Sequence, residues 1–222
     1  MSRILFVSPH PDDETLGCGG TILKHRSGGD EAYWLIMTNI LVEEGYNKVK
    51  VDKRQKEIDS VANEYKFSKV FKLNFPTAKL DVIPRIRIIS ETSRIIEQVK
   101  PEMIYLPNGN DVHSDHGITF EAIISSTKTF RCPFIKKMLV YEVISETEFS
   151  PPLGSTAFLP NSFTDITDYI DKKISIMKLY RDEMKKHPFP RSVDNIKALA
   201  TFRGATAGVR YAESFMVVKE IN

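Results

Sequence analysis

The sequence predicts an α/β domain, a Rossmann-like three-layer sandwich with a mostly parallel central sheet and extra C-terminal helices. Five short apolar runs alternate with four longer amphipathic stretches before residue 145, a pattern typical of a sheet covered by helices on both faces. The 222-residue chain shows no linker, low-complexity tract or internal repeat, so residues 1–222 are expected to form a single domain. The last third departs from the alternation and is interpreted as added elements of the same domain.

The strands are predicted from runs of branched and aromatic residues that are too short to be helices. The first run ends at Ser8 and Pro9, and the fourth ends at Pro107. Continuous apolar runs of this kind are typical of strands buried on both faces of a parallel sheet. In chain order, the predicted strands cover residues 4–7, 31–38, 69–73, 103–106, 138–144 and 214–218.

The helices are predicted from apolar residues at helical spacing and from the residues that begin and end each stretch. Acidic residues open the first helix, Gly28 and Gly29 follow it, and Pro84 begins the third helix. In chain order, the predicted helices cover residues 14–26, 51–65, 84–99, 117–126, 170–184 and 193–202. The proline-rich segments 151–152 and 187–191 are predicted to be loops and are candidates to lie over a functional site.

Composition excludes several classes of protein. The formal net charge of +2 gives no basic field for nucleic acid or an anionic membrane, so no nucleic-acid partner is expected. The longest apolar run falls far short of a membrane span, and residues 4–7 are too short for a signal peptide, so no transmembrane segment is expected. Two cysteines, Cys18 and Cys132, are too few for a disulfide framework and favour a reducing, cytoplasmic location.

A dense polar motif follows the first predicted strand, where residues 9–14 read Pro-His-Pro-Asp-Asp-Glu. His10 and Asp13 lie three positions apart around a strand-to-helix turn, so they can face one point while Asp12 takes a neighbouring direction. Open α/β sheets bind their ligands at this carboxyl edge. The structural alternative is that Asp12 or Asp13 only caps the first helix.

A second polar cluster follows the fourth predicted strand, where residues 108–116 read Asn-Gly-Asn-Asp-Val-His-Ser-Asp-His. In a doubly wound sheet of order 3-2-1-4-5 the first and fourth strands are neighbours, and both clusters then border one crevice. Taken alone, the second cluster could be a solvated loop with an aspartate cap. Because both clusters are predicted to border one crevice, a functional site is favoured over a solvated loop with a helix cap.

Two histidines and one carboxylate suit a divalent metal, and zinc is the usual choice in hydrolases. Such a site leaves an open position for a water molecule whose pKa the metal lowers towards ~7. Hydrolysis at such a metal site also requires a base that takes the proton of the water and a donor for the developing oxyanion. It further requires a carboxylate that orients an imidazole ligand. The candidates for these roles are Asp12, His113 and Asp115.

Together, His-Pro-Asp-Asp-Glu and His-Ser-Asp-His resemble the paired motifs of PIG-L/LmbE-type deacetylases, which are zinc enzymes acting on N-acetylglucosaminyl compounds. The similarity extends to Arg54 and Glu57, to a Phe-Thr-Asp-Ile-Thr segment at residues 163–167, and to the stretch 203–215. Residues 39–41 read Asn-Ile-Leu where many relatives have threonine and glycine. This departure is expected to reshape the substrate pocket without affecting the metal site.

The resemblance implies that His10, Asp13 and His116 bind zinc, with iron and cobalt as other divalent metals that such a site can take. It implies a reaction in which a zinc-bound water removes the N-acetyl group of an amino sugar. The expected partner is therefore a small-molecule N-acetylated amino sugar or glycoconjugate.

The resemblance also implies roles for four further residues. Asp12 would be the general base, and His113 would stabilise the oxyanion. Asp115 would orient His113. Arg54 would contact the sugar or an anionic group of the substrate.

Two other functions compete with this interpretation. A nucleotide-binding Rossmann-like enzyme would use the glycine run at residues 17–20, but a dinucleotide motif places its glycines in the strand-helix turn itself. These glycines are instead expected to let the first helix pack closely. A non-catalytic metal-binding protein would give no role to Asp12 and His113. The carrier of the sugar, the pathway, the physiological metal and the oligomeric state, including a homo-oligomer, stay open.

Overall fold

The computed structural model describes residues 1–221, and Asn222, the last residue of the predicted domain, lies outside them. Seven strands in this part of the chain form one mixed sheet of order β3-β2-β1-β4-β5-β7-β6. The strands are β1 (Arg3–Ser8), β2 (Glu31–Asn39), β3 (Lys69–Pro76), β4 (Met103–Pro107), β5 (Lys137–Tyr141), β6 (Ser162–Asp165) and β7 (Ala212–Glu220). Strands β1 to β5 pair in parallel, whereas β7 runs antiparallel to both β5 and β6. The predicted order 3-2-1-4-5 and the mostly parallel sheet are confirmed.

Six α-helices accompany the sheet within residues 1–221, and each is close to a predicted one. They are α1 (Asp13–Ser27), α2 (Lys48–Tyr65), α3 (Arg85–Val99), α4 (Ser114–Ser126), α5 (Ile170–Met177) and α6 (Val193–Ala207). Side-chain caps explain two starting points, because Asn47 accepts a hydrogen bond from the Val49 amide and Ser192 accepts one from the Asn195 amide. Within residues 1–221, no helix is long and apolar enough to cross a membrane.

Alternate residues of β1 face opposite sides of the sheet, as the two-residue period of a strand requires. Ile4 and Phe6 belong to a core that also contains residues of α1, α2, α5 and α6. Leu5 and Val7 belong to a second core that contains residues of α3 and α4. Two cores on opposite faces of one sheet make the predicted three-layer sandwich.

Close packing explains the glycine run of α1. A Cβ atom at Gly17 would lie 2.2 Å from the ring of Tyr141, and one at Gly20 would lie 2.5 Å from Ile166. Distances this short leave no room for a side chain. The expectation that these glycines let the first helix pack closely is therefore confirmed.

A buried ion pair attaches the C-terminal third to α1. Lys173 Nζ lies 2.6 Å from Glu213 Oε1 and donates a hydrogen bond to the Leu16 carbonyl at 2.7 Å. The Glu213 carboxylate also accepts the amides of Gly20 and Thr21 at 2.9 and 2.8 Å. These contacts fix α5 and β7 against the helix that begins at the first polar motif.

Two elements end short of their predicted bounds, and one strand was not predicted. Strand β5 ends at Tyr141 instead of residue 144, and α5 ends at Met177 instead of residue 184. The four-residue edge strand β6 was not predicted. The two shortened elements free residues 142–146 and 178–183 to turn towards the carboxyl edge of the sheet, where they contribute to the site described below.

Candidate active site and metal centre

The two polar motifs meet at the carboxyl edge of the sheet, because β1 and β4 are adjacent parallel strands. The first motif turns sharply at Asp12, which has a φ of 130°. A positive φ is unusual for aspartate, and such conformations are typical of functional sites. The Glu14 carboxylate stabilises this turn. It accepts a hydrogen bond from the Asp12 amide at 3.0 Å and one from the hydroxyl of buried Tyr180 at 2.9 Å.

His10, Asp13 and His116 each place a ligand atom within 4.8 Å of those of the other two. Asp13 Oδ2 lies 3.3 Å from His10 Nδ1 and 3.4 Å from His116 Nε2. Asp13 Oδ1 and His116 Nε2 are buried and form no hydrogen bond among the described residues. Since buried polar atoms rarely lack a partner, a divalent cation between these side chains would satisfy both. The donor set therefore fits a metal.

Two further carboxylates contact the ring nitrogens of His10 and His116 that face away from Asp13. His116 Nδ1 lies 2.8 Å from Asp111 Oδ2, and His10 Nε2 lies 3.1 Å from Asp115 Oδ2. A carboxylate accepts hydrogen bonds, so a neutral imidazole in either contact carries its proton on that nitrogen. The other nitrogen, His116 Nε2 or His10 Nδ1, then offers a lone pair towards Asp13. This pairing is typical of metal-binding histidines.

The resemblance implied that Asp115 orients His113, but the hydrogen bonds of the Asp115 carboxylate go to other groups. The Asp115 carboxylate meets His10 and accepts the amides of Ala78 and Leu80 at 2.7 and 3.0 Å. The reason is the helix start: α4 begins at Ser114, so residue 115 already lies in its first turn and faces the loop after β3. Among the described residues, Asp115 forms a hydrogen bond with His113 only through its backbone amide.

His113 caps α4. Its Nδ1 accepts the Asp115 amide at 3.1 Å, so the neutral imidazole carries its proton on Nε2. Burial lowers the pKa of His113, and the neighbouring His10 and His116 lower it further. The ring is therefore neutral near pH 7 and can donate a hydrogen bond from Nε2.

The adjacent aspartates of the first motif have different surroundings. Burial raises the pKa of Asp12 to about 7, although the positive charge of Arg191 opposes this rise. Burial also acts to raise the pKa of Asp13, but His116 and His10 outweigh it and hold that pKa well below its usual range. Asp13 is thus a fixed anion, as a metal ligand must be. Asp12 is a carboxylate that can take up a proton near neutral pH.

Asp12 occupies the N-cap position of α1, but its side chain forms no capping hydrogen bond. Its Oδ2 accepts a hydrogen bond from Arg191 Nη1 at 2.6 Å. Its Oδ1 is buried and has no hydrogen-bond partner within residues 1–221. The alternative in which Asp12 only caps the first helix is therefore wrong.

A cavity of about 500 Å³ opens over this cluster. Its walls include His10, Asp12, Asn39, Arg54 and His113. Asn39 belongs to the segment that departs from the relatives, so this segment does border the pocket. The guanidinium of Arg54 is already engaged: Nη1 donates to the Pro11 carbonyl at 3.0 Å, and Nη2 forms an ion pair with Glu183.

A second cavity, of about 610 Å³, lies on the other side of the loop after β5 and is more apolar. Its charged side chains include Glu142 and Arg203, which pair with each other at 2.7 Å. No cluster of three metal-ligating side chains lies there among the described residues. Asp12 and His113, the candidate catalytic residues, line the smaller, more polar cavity.

Sequence reasoning missed several residues of the site. Asp111 lies inside the second motif, and its carboxylate five positions before His116 was a visible sign of a role. Tyr180 and Glu183 carried no comparable sign, since they lie in turns of the C-terminal third. Arg191 ends the proline-rich loop that was a candidate to lie over a site, but its partner was not predicted. Their place in the site results from tertiary contacts.

The fold and the site define an α/β enzyme with a candidate His-Asp-His metal group at the carboxyl edge of its sheet. The model of the PIG-L family, described as GlcNAc-PI de-N-acetylase, matches residues 5–127, which contain both polar motifs. The chain belongs to the PIG-L family. The predicted resemblance and the prediction of an N-deacetylase hydrolase are confirmed.

Relatives align with 82% to 100% of this chain. Diacetylchitobiose deacetylase of Thermococcus kodakarensis is 22% identical and aligns with 100% of this chain and 85% of its own length. A probable N-acetyl-α-D-glucosaminyl L-malate deacetylase 2 of Bacillus anthracis is 22% identical over 82% of this chain and 81% of its own. The solved structure of N,N′-diacetylchitobiose deacetylase from Pyrococcus horikoshii superposes with a TM-score of 0.77 and 22% identity, covering 98% of this chain and 84% of the other. This similarity confirms the fold.

Proposed function

We propose that this protein hydrolyses the N-acetyl group of an N-acetylated amino-sugar compound, using a divalent metal held by His10, Asp13 and His116. The supporting observation is that Asp13 Oδ1 and His116 Nε2 are buried without hydrogen-bond partners beside an open polar cavity. Zinc is the first candidate because the ligand set combines two imidazoles with one carboxylate. The proposed substrate class is based on two relatives, the diacetylchitobiose deacetylase and the probable N-acetyl-α-D-glucosaminyl L-malate deacetylase, whose names refer to N-acetylated glucosamine compounds.

The chain supplies a base and a donor for this reaction. When bound, the metal supplies a Lewis acid that polarises the amide carbonyl and acidifies water. Asp12, through its free Oδ1, takes the proton of the attacking water and passes it to the departing amine. His113, with its proton on Nε2, donates a hydrogen bond to the carbonyl oxygen as negative charge develops there. The products are acetate and a free amine.

The remaining predicted residues act indirectly in this proposal. Asp115 orients His10, and Asp111 orients His116, so that the other nitrogen of each ring would be available to hold a metal. Arg54 forms part of the substrate pocket and is braced by Glu183. We further propose that residues 1–222 work as a single domain, since one sheet contains strands from both motifs and from the C-terminal third.

The direct test is acetate release from N-acetylglucosamine, diacetylchitobiose and N-acetylglucosaminyl malate. The purified protein is assayed as isolated, after chelation, and after re-addition of zinc, iron(II) or cobalt(II). We expect activity on at least one compound, its loss on chelation, and its return with metal. Full activity in metal-free protein would overturn the metal role. Metal binding without acetate release from any N-acetylated sugar would favour the non-catalytic alternative.

A further inference from the structure

Arg191 contacts Asp12 although the two residues are 179 positions apart in the chain. It lies in the loop just before α6, and its side chain reaches the first polar motif at the opposite end of the sequence. The side chain is 14% exposed and that of Asp12 is 4% exposed. This contact is a direct, nearly buried, charge-assisted hydrogen bond, which is stronger than a neutral one.

The guanidinium of Arg191 is itself fixed from two other segments of the chain. Nε donates to Ser145 Oγ at 2.7 Å, and Nη2 lies 3.3 Å from Glu146 Oε1. Nη1, the atom that bonds Asp12, also lies 3.2 Å from Glu183 Oε2. Because a guanidinium is planar and rigid, partners on several sides leave it a single orientation.

Asp12, in contrast, has a weakly constrained side chain without this arginine. Its backbone is held by Glu14 and by the first turn of α1, where its carbonyl accepts the amides of Thr15 and Leu16. Its carboxylate has one hydrogen-bond partner among the described residues, and that partner is Arg191 on Oδ2. The other oxygen, Oδ1, stays free within the cavity wall.

We propose that Arg191 is a positioning residue, whose fixed guanidinium binds Asp12 Oδ2 and thereby presents Oδ1 to the attacking water. The proposal rests on the assignment of Asp12 as the general base. A base must lie within hydrogen-bond reach of the proton it removes, and a displacement of about 1 Å can reduce a rate by about 10²-fold. Arg191 acts through Asp12 and, among the described residues, forms no hydrogen bond or ion pair with His10, Asp13 or His116.

Kinetics of acetate release from diacetylchitobiose by the zinc-loaded protein tests this role. Arg191→Gln is expected to lower kcat by about 10²-fold while leaving KM nearly unchanged. In a double-mutant cycle, Asp12→Asn with Arg191→Gln should be no slower than Asp12→Asn alone, because both changes disable one base. Guanidinium added to Arg191→Ala should restore part of kcat. Additive losses, or a loss confined to KM, would overturn the positioning role.

A matched control separates positioning from general stability. Arg203→Gln removes another ion-paired guanidinium, 17% exposed and bound to Glu142, outside the polar cavity. This variant is expected to lower the melting temperature and to leave kcat unchanged. If Arg203→Gln and Arg191→Gln reduce kcat equally, Arg191 has only a structural role.

Crystal structures of the wild type and Arg191→Gln provide a readout that is independent of activity. The Asp12 carboxylate should leave its wild-type rotamer or occupy several rotamers in the variant. An unchanged Asp12 would overturn the inference even if the proposed activity holds. Full activity of Asp12→Asn would instead overturn the assignment of Asp12 as the base, and the role of Arg191 with it. If Asp12→Asn loses activity and Arg191→Gln does not, only the positioning role of Arg191 is overturned.

Discussion

The Asp111 carboxylate lies 2.8 Å from His116 Nδ1, and neither side chain has any exposed surface. With the proton of a neutral imidazole held on Nδ1, the lone pair of Nε2 points away from Asp111, and Nε2 has no other hydrogen-bond partner among residues 1–221. Asp111 also accepts hydrogen bonds from Asn108 at 2.8 Å and from Thr147 at 2.7 Å. The carboxylate is thus fixed on both oxygens, and it fixes the imidazole in turn.

Asp111→Asn should weaken metal binding by about 10- to 100-fold, the usual effect of removing a carboxylate that orients a metal-binding histidine. The amide is similar in size, but it can present an N–H to the imidazole and favour the wrong tautomer. Zinc affinity measured by competition with a chelator checks this. Thr147→Val, which removes a neutral bond to the same carboxylate, should have a smaller effect. Equal affinity of Asp111→Asn and wild type would contradict the orienting role.

Metal affinity should rise with pH between about 6 and 8, because protons must leave the histidines before a metal can bind. Burial by itself lowers the pKa of His10, but Asp115 and Asp13 outweigh it and raise that pKa to about 9. For His116, burial is likewise outweighed by Asp13 and Asp111, and the pKa rises to about 10. In the metal-free protein both rings are therefore protonated below these values.

The expected slope is a gain of about tenfold in the association constant per pH unit for each proton displaced. Calorimetry of zinc binding in buffers of different ionisation enthalpy counts these protons directly. Binding that releases no protons and does not change between pH 6 and 8 would contradict this account of the metal-free site.

The sequence allowed the first five strands to be predicted because each is an apolar run bounded by turn residues. Their order followed from the alternation with helices, and it placed His10 and His116 at one edge. Strand β6 (Ser162–Asp165) escaped prediction because it is a short edge strand with half-buried residues and no apolar run. Local patterns carry little information about such elements.

The site was predictable to the same extent. The residues that follow β1 and β4 stand out by composition, so the metal group and its neighbours could be proposed from the sequence. The hydrogen-bond partner of the Asp115 carboxylate could not be predicted from the sequence, because it depends on where α4 begins and on the path of the loop after β3. Arg191 could not either, since only the tertiary fold brings it to Asp12.

Lys173→Met should lower the free energy of unfolding by about 3–5 kcal/mol, the range for breaking a buried ion pair by removing one partner. The Glu213 carboxylate would keep the amides of Gly20 and Thr21 but lose its counter-charge, and both side chains of the pair are at most 5% exposed. Urea unfolding measures the change. Lys197→Met breaks an exposed pair with Asp171 and should have little effect. Similar losses in the two variants would contradict the importance of the buried pair.

Arg54→Ala should raise KM by about tenfold or more with a smaller change in kcat, because the guanidinium borders the cavity and not the reacting groups. Its bonds to the Pro11 carbonyl and Glu183 also shape the pocket wall. Steady-state kinetics on the best substrate of the panel checks this. Lys53→Ala, one position earlier on α2 and outside the cavity wall, is the control and should leave both constants unchanged. A loss confined to kcat, or no change, would count against a role in substrate binding.

Substitution of the two adjacent aspartates of the first motif should have different effects on zinc content and kcat. Asp13→Ala should lose most of its zinc, because it removes the carboxylate that lies between His10 Nδ1 and His116 Nε2. Asp12→Asn should keep its zinc and lose about 10²–10⁴ in kcat, the usual contribution of a general base. The amide has the size of the carboxylate and can still accept the bond from Arg191, but it cannot take up a proton.

His113→Ala completes the set, since it should also keep zinc and lose about 10²-fold or more in kcat for lack of a donor to the oxyanion. Zinc content and kcat are measured for all three variants under one condition, with melting temperatures to confirm folding. Zinc loss in Asp12→Asn with retention in Asp13→Ala would reverse the two roles. If both aspartate variants keep zinc and full rate, neither residue takes part in the chemistry. Loss of zinc in His113→Ala would instead make His113 a ligand, which the second group of metal-ligating atoms, His10, His113 and Asp115, allows on geometric grounds.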